Sequence, residues 1–321
     1  MVRAWAGESA SDDPPLVSII IANWNGRGYL DGCLAALRAQ SERRHEVILV
    51  DNASTDDSVA FVRARFPEVV LVQSGRNLGF SGGNALGLRV ARGTWIALLN
   101  NDTVADPGWL AALLDAASPL DVAGATGKVY ALDDPARVSF TLPLLDRFSG
   151  RALWTNAERG DSDVHYLAGS NLVVKRAVVD EVGFLDPAYE AYYEETDWCA
   201  RMIRAGYRLV YTPRATIRHK ELGSTSLERN RYLMERNRIR FVLKNFDPPA
   251  LALFLPLYAL DAARRLWRGH DEFGVAWRPL IPRAIGWNLR HLPGTLRARW
   301  RDLGRLRYRR PYNRSLARYG T

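Results

Sequence analysis

The sequence predicts an α/β fold: a mostly parallel sheet with flanking helices, plus a basic helical C-terminal extension. Three observations carry this. Short β-branched apolar runs alternate with helical stretches through residues 16–117, the pattern of parallel strands joined by crossover helices. Several of these runs stop at clusters of Asn, Asp, Ser and Gly, as strands do where loops gather at one sheet edge. Charge is segregated, with 21 Lys and Arg against 7 Asp and Glu in residues 228–321, although the whole chain is only +9.

The 321 residues, 47% hydrophobic, suffice for one large or two modest domains. Cys33 and Cys199 lack metal-ligand spacing and point to a reduced, cytosolic setting. Residues 1–15 carry no visible targeting signal and read as a flexible tail.

The elements follow in order. Leu16–Ala22 is β-branched and apolar, a central strand in character, and breaks at Asn23-Trp24-Asn25-Gly26. Tyr29–Gln40 has helical spacing, with Leu30, Leu34 and Leu37 on one side. Glu46–Val50 is a second strand ending at Asp51, and Asp56–Phe66 a second helix. Val69–Gln73 is the third strand. Gly-rich Leu78–Gly83 then feeds a helix over Asn84–Ala91. Trp95–Leu99 is the fourth strand, and it stops at Asn100-Asn101-Asp102.

Beyond it, Gly108–Ala117 reads as a helix and Gly124–Tyr130 as a strand. Residues 132–163 show little period and read as a variable loop. Tyr166–Val174 is expected as a strand, Arg176–Val182 as a helix and Phe184–Tyr193 as a loop. Glu194–Ala205 follows as a helix and Tyr207–Tyr211 as a strand. Arg231–Asn245 is a basic helix. Apolar Ala250–Leu260 contains Pro256 and is too short to span a membrane. Trp267, Trp277, Trp287 and Trp300 then alternate with arginines.

Five features can carry chemistry. Asp102 sits just past the end of a strand, where a carboxylate can hold a divalent metal and, through it, a diphosphate. Asp51, at another strand end, can accept from a ribose hydroxyl or a base N–H, or simply cap the next helix. Asn77-Leu78-Gly79-Phe80-Ser81-Gly82-Gly83-Asn84 lets backbone approach an anion, or merely turns tightly. Glu194-Glu195-Thr196-Asp197 follows Tyr189, Tyr192 and Tyr193. Its acids suit a general base on an aromatic sugar floor, or a capped, solvated first turn. His219, in Arg218-His219-Lys220, can complete an oxygen-rich metal site begun by Asp102, or be structural.

VSIIIANWNG, LVDNASTDDS, NLGFSGGNALG and LLNNDT, in that order, resemble the nucleotide-binding half of the family 2 glycosyltransferases. These are inverting enzymes of the GT-A, Rossmann-like fold. AGSNLVVKR, VGFLDPAYEAYYEETDWCARMIRAGYRL and HKELGSTS resemble their acceptor half, most closely in the bacterial rhamnosyltransferase and galactofuranosyltransferase branch. The resemblance implies a catalytic domain over 16–227, with a nucleotide-sugar half at 16–104 and an acceptor half at 105–227, followed by the basic region 228–321.

It also implies roles. Ala22, Asn23, Asp51, Asn77, Gly79, Gly82, Asn84, Asn100, Asn101 and Asp102 would bind the nucleotide sugar. Asp102 and His219 would hold Mg²⁺ or Mn²⁺, with Asn100 where many relatives carry an Asp. Glu195 stands at the base position, where the family usually has Asp. Glu194 neighbours it, and Asp197 orients it or holds acceptor hydroxyls, unless it pairs with Arg201 one turn on. Gly169, Ser170, Tyr193 and Trp198 would meet the acceptor.

The donor is then a nucleoside diphosphate sugar, with dTDP-rhamnose the best choice by resemblance. The acceptor is a cell-surface glycan or lipid-linked, and the setting is the inner face of the cell membrane. The basic region suits an anionic membrane surface, or an interface with a second copy of the chain. Two other classes are set beside this. A nicotinamide oxidoreductase should carry G-x-G-x-x-G after its first strand, where this chain has Asn23-Trp24-Asn25-Gly26. A nucleic-acid-binding protein accounts for the basic end, but no helix-turn-helix, zinc finger or stacking motif is recognisable, so no nucleic-acid partner is expected.

Overall fold

The computed structural model describes residues 13–134, 136–155, 159–220, 226–306 and 311–316. The expected tail lies almost wholly outside these residues, as do residues 221–225 of the HKELGSTS stretch.

The N-terminal half alternates as β1 (Val17–Asn23), α1 (Arg27–Arg38), β2 (His45–Asp51), α2 (Ser58–Arg65), β3 (Val70–Gln73), α3 (Gly79–Leu88) and β4 (Trp95–Leu99). Next come β5 (Thr103–Ala105), α4 (Trp109–Ala116), β6 (Val122–Ala131), β7 (Val138–Phe140), β8 (Leu142–Leu145), β9 (Ala152–Thr155), β10 (Ser162–Asp163) and β11 (Asn171–Lys175). The C-terminal half holds α5 (Arg176–Val182), α6 (Glu194–Ala205), β12 (Arg208–His219), α7 (Leu227–Asn245), α8 (Pro248–Arg268), α9 (Trp277–Arg305) and α10 (Tyr312–Leu316).

Among the described residues the main sheet runs β10-β12-β6-β11-β4-β1-β2-β3, with β5 on β12 and β7 on β6. β4, β1, β2 and β3 are parallel, and the antiparallel β11 joins them to the parallel pair β6 and β12. Two large apolar clusters cover its faces. One includes Leu30, Leu34 and Leu37 of α1 with Trp109 and Leu113 of α4. The other joins Ile20 and Leu98 to Trp198, Phe241 and Phe246. This is the GT-A fold expected.

Several expectations are corrected. Residues 132–163 are not one loop but carry β7 to β10, short pieces whose Pro and Gly content hides any period. The strand expected at Tyr166–Val174 starts only at Asn171. Its N–H closes a turn onto Ala168, and Tyr166–Ala168 is an apolar core segment without strand pairing. The Gly-rich loop belongs to helix α3. Glycine costs helix stability, but a Cβ on Gly83 would stand 2.7 Å from Asn52 and 3.1 Å from Ala22, so α3 reaches the strand ends only without one. β12 runs on to His219, past a register irregularity between Thr212 and Thr216.

The expected basic helical extension is present and packs closely on the rest of the chain. Phe241, Val242, Phe246, Phe254, Leu306 and Tyr312 belong to the same cluster as α6. Many of its cations point inward. Lys244 Nζ lies 2.8 Å from Asp197, 2.8 Å from Asp302 and 3.1 Å from Asp186, and Arg240 meets Asp186 at 3.0 Å. Burial pushes the Asp186 and Asp302 carboxyls up, but Lys244, with Arg240 and Arg201 respectively, outweighs it and leaves both below the usual carboxylate range. Groups depressed in this way stabilise the fold above their unfolded value of 3.8 and lose that contribution as pH falls through the folded value.

Lys244→Met would leave three buried carboxylates without their shared cation. The expected cost is about 3–5 kcal/mol. It is measured as a lower urea midpoint at neutral pH, and unchanged midpoints would refute the role.

Candidate active site

The parallel strands deliver their last residues to one edge, and buried polar atoms without hydrogen-bond partners gather there. Asp51 Oδ1, Asn52 Oδ1, Ser81 Oγ, Asn84 Oδ1 and Asp102 Oδ1 are of this kind. Buried polar groups are ordinarily paired, so such a concentration marks where a ligand completes the bonding. Asp51 uses only its other oxygen, which accepts from Ser54 N–H at 3.2 Å.

The corner between β4 and β12 is set by register. β5 turns back antiparallel to β12, pairing Thr103 with His219, and Lys220 N–H donates to the Asp102 carbonyl at 3.0 Å. This brings His219 Nε2 to 3.2 Å from Asp102 Oδ1 and 3.4 Å from Asn100 Nδ2. An imidazole nitrogen facing a carboxylate oxygen is held by a shared proton or by a cation. Asp102, His219 and the Asn100 amide are hard O and N donors that fit a divalent cation. Among the described residues no group of three or more His, Cys, Asp or Glu side chains forms a metal cage.

The acidic motif opens α6. Before it, Glu190, Tyr192 and Tyr193 all have positive φ, of 65°, 67° and 70°. Non-glycine residues rarely adopt this conformation, so something must hold it. Asn237 of α7 does so, donating to the carbonyls of Tyr189, Ala191 and Tyr192 at 2.7–2.8 Å. Arg236 adds a bond to the Tyr189 carbonyl at 2.8 Å.

Glu194 is almost wholly enclosed, and its Oε2 has no hydrogen-bond partner. Burial and then the neighbouring Glu195 charge push its carboxyl well above the ordinary range. Glu195 retains solvent access and accepts from Thr196 Oγ1 at 3.2 Å. Burial raises its carboxyl too, while hydrogen bonds, including one with Glu194, pull it back. Gly169 lies between the Phe80 ring and Glu195, since a Cβ built on it would stand 3.4 Å from one and 3.8 Å from the other. The next carbonyl, of Ser170, accepts from Asn100 N–H at 3.4 Å. Glu195, the α3 start and the Asp102 corner are therefore linked through Gly169 and Ser170 and outline one candidate cleft.

The sequence profile described as glycosyl transferase family 2 matches residues 18–183. The chain belongs to this family. An N-acetylglucosaminyl-diphospho-decaprenol L-rhamnosyltransferase of Mycobacterium tuberculosis (strain ATCC 25618 / H37Rv) is 30% identical over 259 residues, spanning 71% of this chain and 83% of that protein. Two solved structures share the fold at 16% identity. A mannosyltransferase, PcManGT from Pyrobaculum calidifontis in complex with GDP-Man and Mn²⁺, matches with a TM-score of 0.54 over 92% of this chain and 86% of its own. GalNAc-T7 with UDP, GalNAc and Mn²⁺ matches with 0.59 over 74% of this chain, which spans about half (49%) of that structure. Family membership replaces the nicotinamide and nucleic-acid readings.

Within this glycosyltransferase the expected site residues divide. Ala22 and Asp51 lie in β1 and β2, Gly79, Gly82 and Asn84 in α3, and Glu194 and Glu195 open α6, while Asn100 and Asp102 follow β4 and face His219, with Ser170 against Asn100 and Gly169 against Glu195. Asn23 and Asn101 bond to each other, Nδ2 of Asn101 donating to Oδ1 of Asn23 at 2.7 Å, and so tie β1 to the β4 end. A Cβ on Gly26 would stand 2.0 Å from that Asn101 nitrogen, so this pair requires glycine there. Asn77 is exposed and accepts the Gly79 N–H at 2.8 Å, a turn role.

Three expectations fail on geometry. Asp197 is wholly enclosed and engaged by Lys244, Asn245, Tyr189 and Arg201, so it cannot hold acceptor hydroxyls, and the Arg201 alternative is the one observed. Trp198 is buried, its Nε1 donating to the Gly183 carbonyl at 2.8 Å. Tyr193 is buried with its hydroxyl on the Gly150 carbonyl at 2.9 Å. The residues missed are Asn237 and Arg236. One signal was available: Asn230, Asn237 and Asn245 fall toward one face of the helix.

Asn237→Ala would strip donors from three carbonyls in a strained segment, costing about 1–3 kcal/mol for each group left buried and unpaired. A loss of turnover larger than the loss of donor affinity is expected. Equal kcat with a lowered Tm would reduce Asn237 to a purely structural residue.

Proposed function

We propose that this family 2 glycosyltransferase moves a sugar, best assigned as rhamnose from dTDP-rhamnose, to a hydroxyl of a lipid-linked glycan, with inversion and with Mg²⁺ or Mn²⁺. The carrying observation is the link through Gly169 and Ser170 between a raised and solvent-reaching Glu195 and the corner where Asp102 faces His219. The mycobacterial relative, an N-acetylglucosaminyl-diphospho-decaprenol L-rhamnosyltransferase, supports the sugar and the lipid-linked acceptor. The Mn²⁺ in the two structural neighbours supports the metal.

Asp51 accepts from the nucleoside, and the glycine-lined start of α3 lets the donor approach closely. Asp102 and His219, with Asn100 beside them, would hold the cation, which when bound would supply positive charge against the departing diphosphate. Glu195 takes the proton of the acceptor hydroxyl, and that oxygen attacks the anomeric carbon from the face opposite the diphosphate. Glu194 stays protonated in its enclosed site and donates to Glu195, which limits how far burial raises the base. Association with the inner face of an anionic membrane fits a lipid-linked acceptor. No described helix is long and apolar enough to cross a membrane, so the dock would be peripheral.

Release of nucleoside diphosphate from a panel of nucleotide sugars tests the donor, and strong preference for a donor other than dTDP-rhamnose would overturn that choice. Glu195→Gln should cut turnover about 10²-fold or more while leaving donor binding intact. Near-normal turnover, with Glu194→Gln inactive, would move the base by one residue. Asp102→Asn should abolish metal-dependent donor affinity, and full activity in excess EDTA would refute the metal.

The pH profile follows in sign. Glu195 acts deprotonated and its carboxyl is raised, so kcat/KM should fall with acid along a limb above the ordinary glutamate value of 4.5. Glu194→Leu removes the donor and should move that limb to higher pH, whereas Glu194→Gln should hold it. Identical limbs in all three proteins would dissociate Glu194 from the base.

A further inference from the structure

A cavity of about 900 Å³ opens where α8 begins, α9 ends and α10 packs beneath them. It is not the cleft described above. Arg204 lines it at the far end of α6, nine residues from Glu195 or about 14 Å along a helix. Its volume is that of a ligand site.

Two chemistries meet in it. Phe148, Leu253, Trp300 and Leu303 give an apolar wall. Arg147, Arg204, Arg299 and Arg314 contribute four guanidiniums against one carboxylate, Asp247. That carboxylate is already used, by Arg204 at 3.0 Å and by the Asn313 N–H at 2.9 Å. The Arg299 bonds go to the Leu243 and Lys244 carbonyls, which leaves its charge unneutralised. Burial, and then the nearby Arg204, depress its proton affinity. Pro248 and Pro249 at the rim carry no N–H, so anion recognition there falls to the guanidiniums.

The apolar wall continues outward. Leu253, Leu257 and Leu260 present successive turns of α8 to solvent, and Trp267, 85% exposed, follows on the same side with Arg264 and Arg268 exposed beside it. On α9, Leu296 and Trp300 are exposed next to Arg297 and Arg301. A free phosphate would need no apolar wall, and a neutral chain would need no arginines. An anionic amphiphile uses both.

We propose that this cavity binds an anionic phospholipid of a bilayer surface, its acyl chain along Leu253, Trp300 and Leu303 and its phosphate met by Arg299 and Arg314. The bound lipid would moor the α8 face to the membrane that carries the acceptor, and to that extent the proposal rests on the membrane reading above.

The test has a soluble arm and a bilayer arm. Titration calorimetry with dodecyl phosphate below its micelle concentration should give one site per chain. It should be at least tenfold tighter than inorganic phosphate or dodecyl glucoside. Leu253→Asp and Arg314→Glu, both at exposed positions, should each weaken it tenfold or more without changing Tm or donor hydrolysis. Equal binding of phosphate or of the neutral amphiphile would overturn the site.

In flotation, wild type should bind phosphatidylglycerol vesicles and not phosphatidylcholine vesicles, and Leu253→Asp should bind neither. If Leu253→Asp floats like wild type, the cavity assignment fails while the membrane reading stands. If dodecyl phosphate binds but wild type never floats, a bilayer lipid is excluded as the occupant. A concentration-dependent dimer by sedimentation, lost in Leu253→Asp and without amphiphile binding, would overturn the proposal in favour of a second copy.

Discussion

The structure depends on the hold that α7 keeps on the segment before α6. Three residues there sit in left-handed backbone conformations, each costing of order 1–3 kcal/mol. They persist because Asn237 and Arg236 answer the carbonyls that the strained path turns inward. The carboxylates of α6 owe their direction to that path. The helix that resembles a basic appendage in the sequence is therefore part of the catalytic body. A second constraint works beside it, where one buried ammonium, Lys244, joins acids from three segments and fixes α6 against α7 and α9.

The donor half was legible because its signals are local. β1, β2 and β4 are apolar runs that stop at polar residues, and a strand buried on both faces has little freedom to be anything else. Asp51, Asp102 and Glu195 could be found because their motifs lie at element ends, where loops deliver function. The meeting of Asp102 with His219 depends on β5, three residues that carry no period of their own. Residue reading offered that pair as one of two roles for His219, and resemblance to a family chose between them.

What was illegible is long-range. Asp197, Trp198 and Tyr193 stand beside Glu194 and Glu195 in sequence, yet a helix turns successive residues 100° apart, and these three face the core. Charge counting failed for a related reason. It treats each arginine of α7 as a surface group, whereas Arg236, Arg238 and Arg240 are buried against carbonyls and carboxylates. Among the described residues, exposed arginines of α8, α9 and α10 remain for a partner.

The pairing of β5 with β12 has an evolutionary consequence. The residues it brings together, Asn100 and His219, are 119 positions apart, yet the ladder that joins them spans only Thr103–Ala105 and Ile217–His219. Everything between enters and leaves through that short clasp. The hairpin of β8 and β9 can lengthen, shorten or change its side chains without altering how the clasp closes. A lineage can thus rebuild the insert while inheriting the Asp102–His219 corner intact.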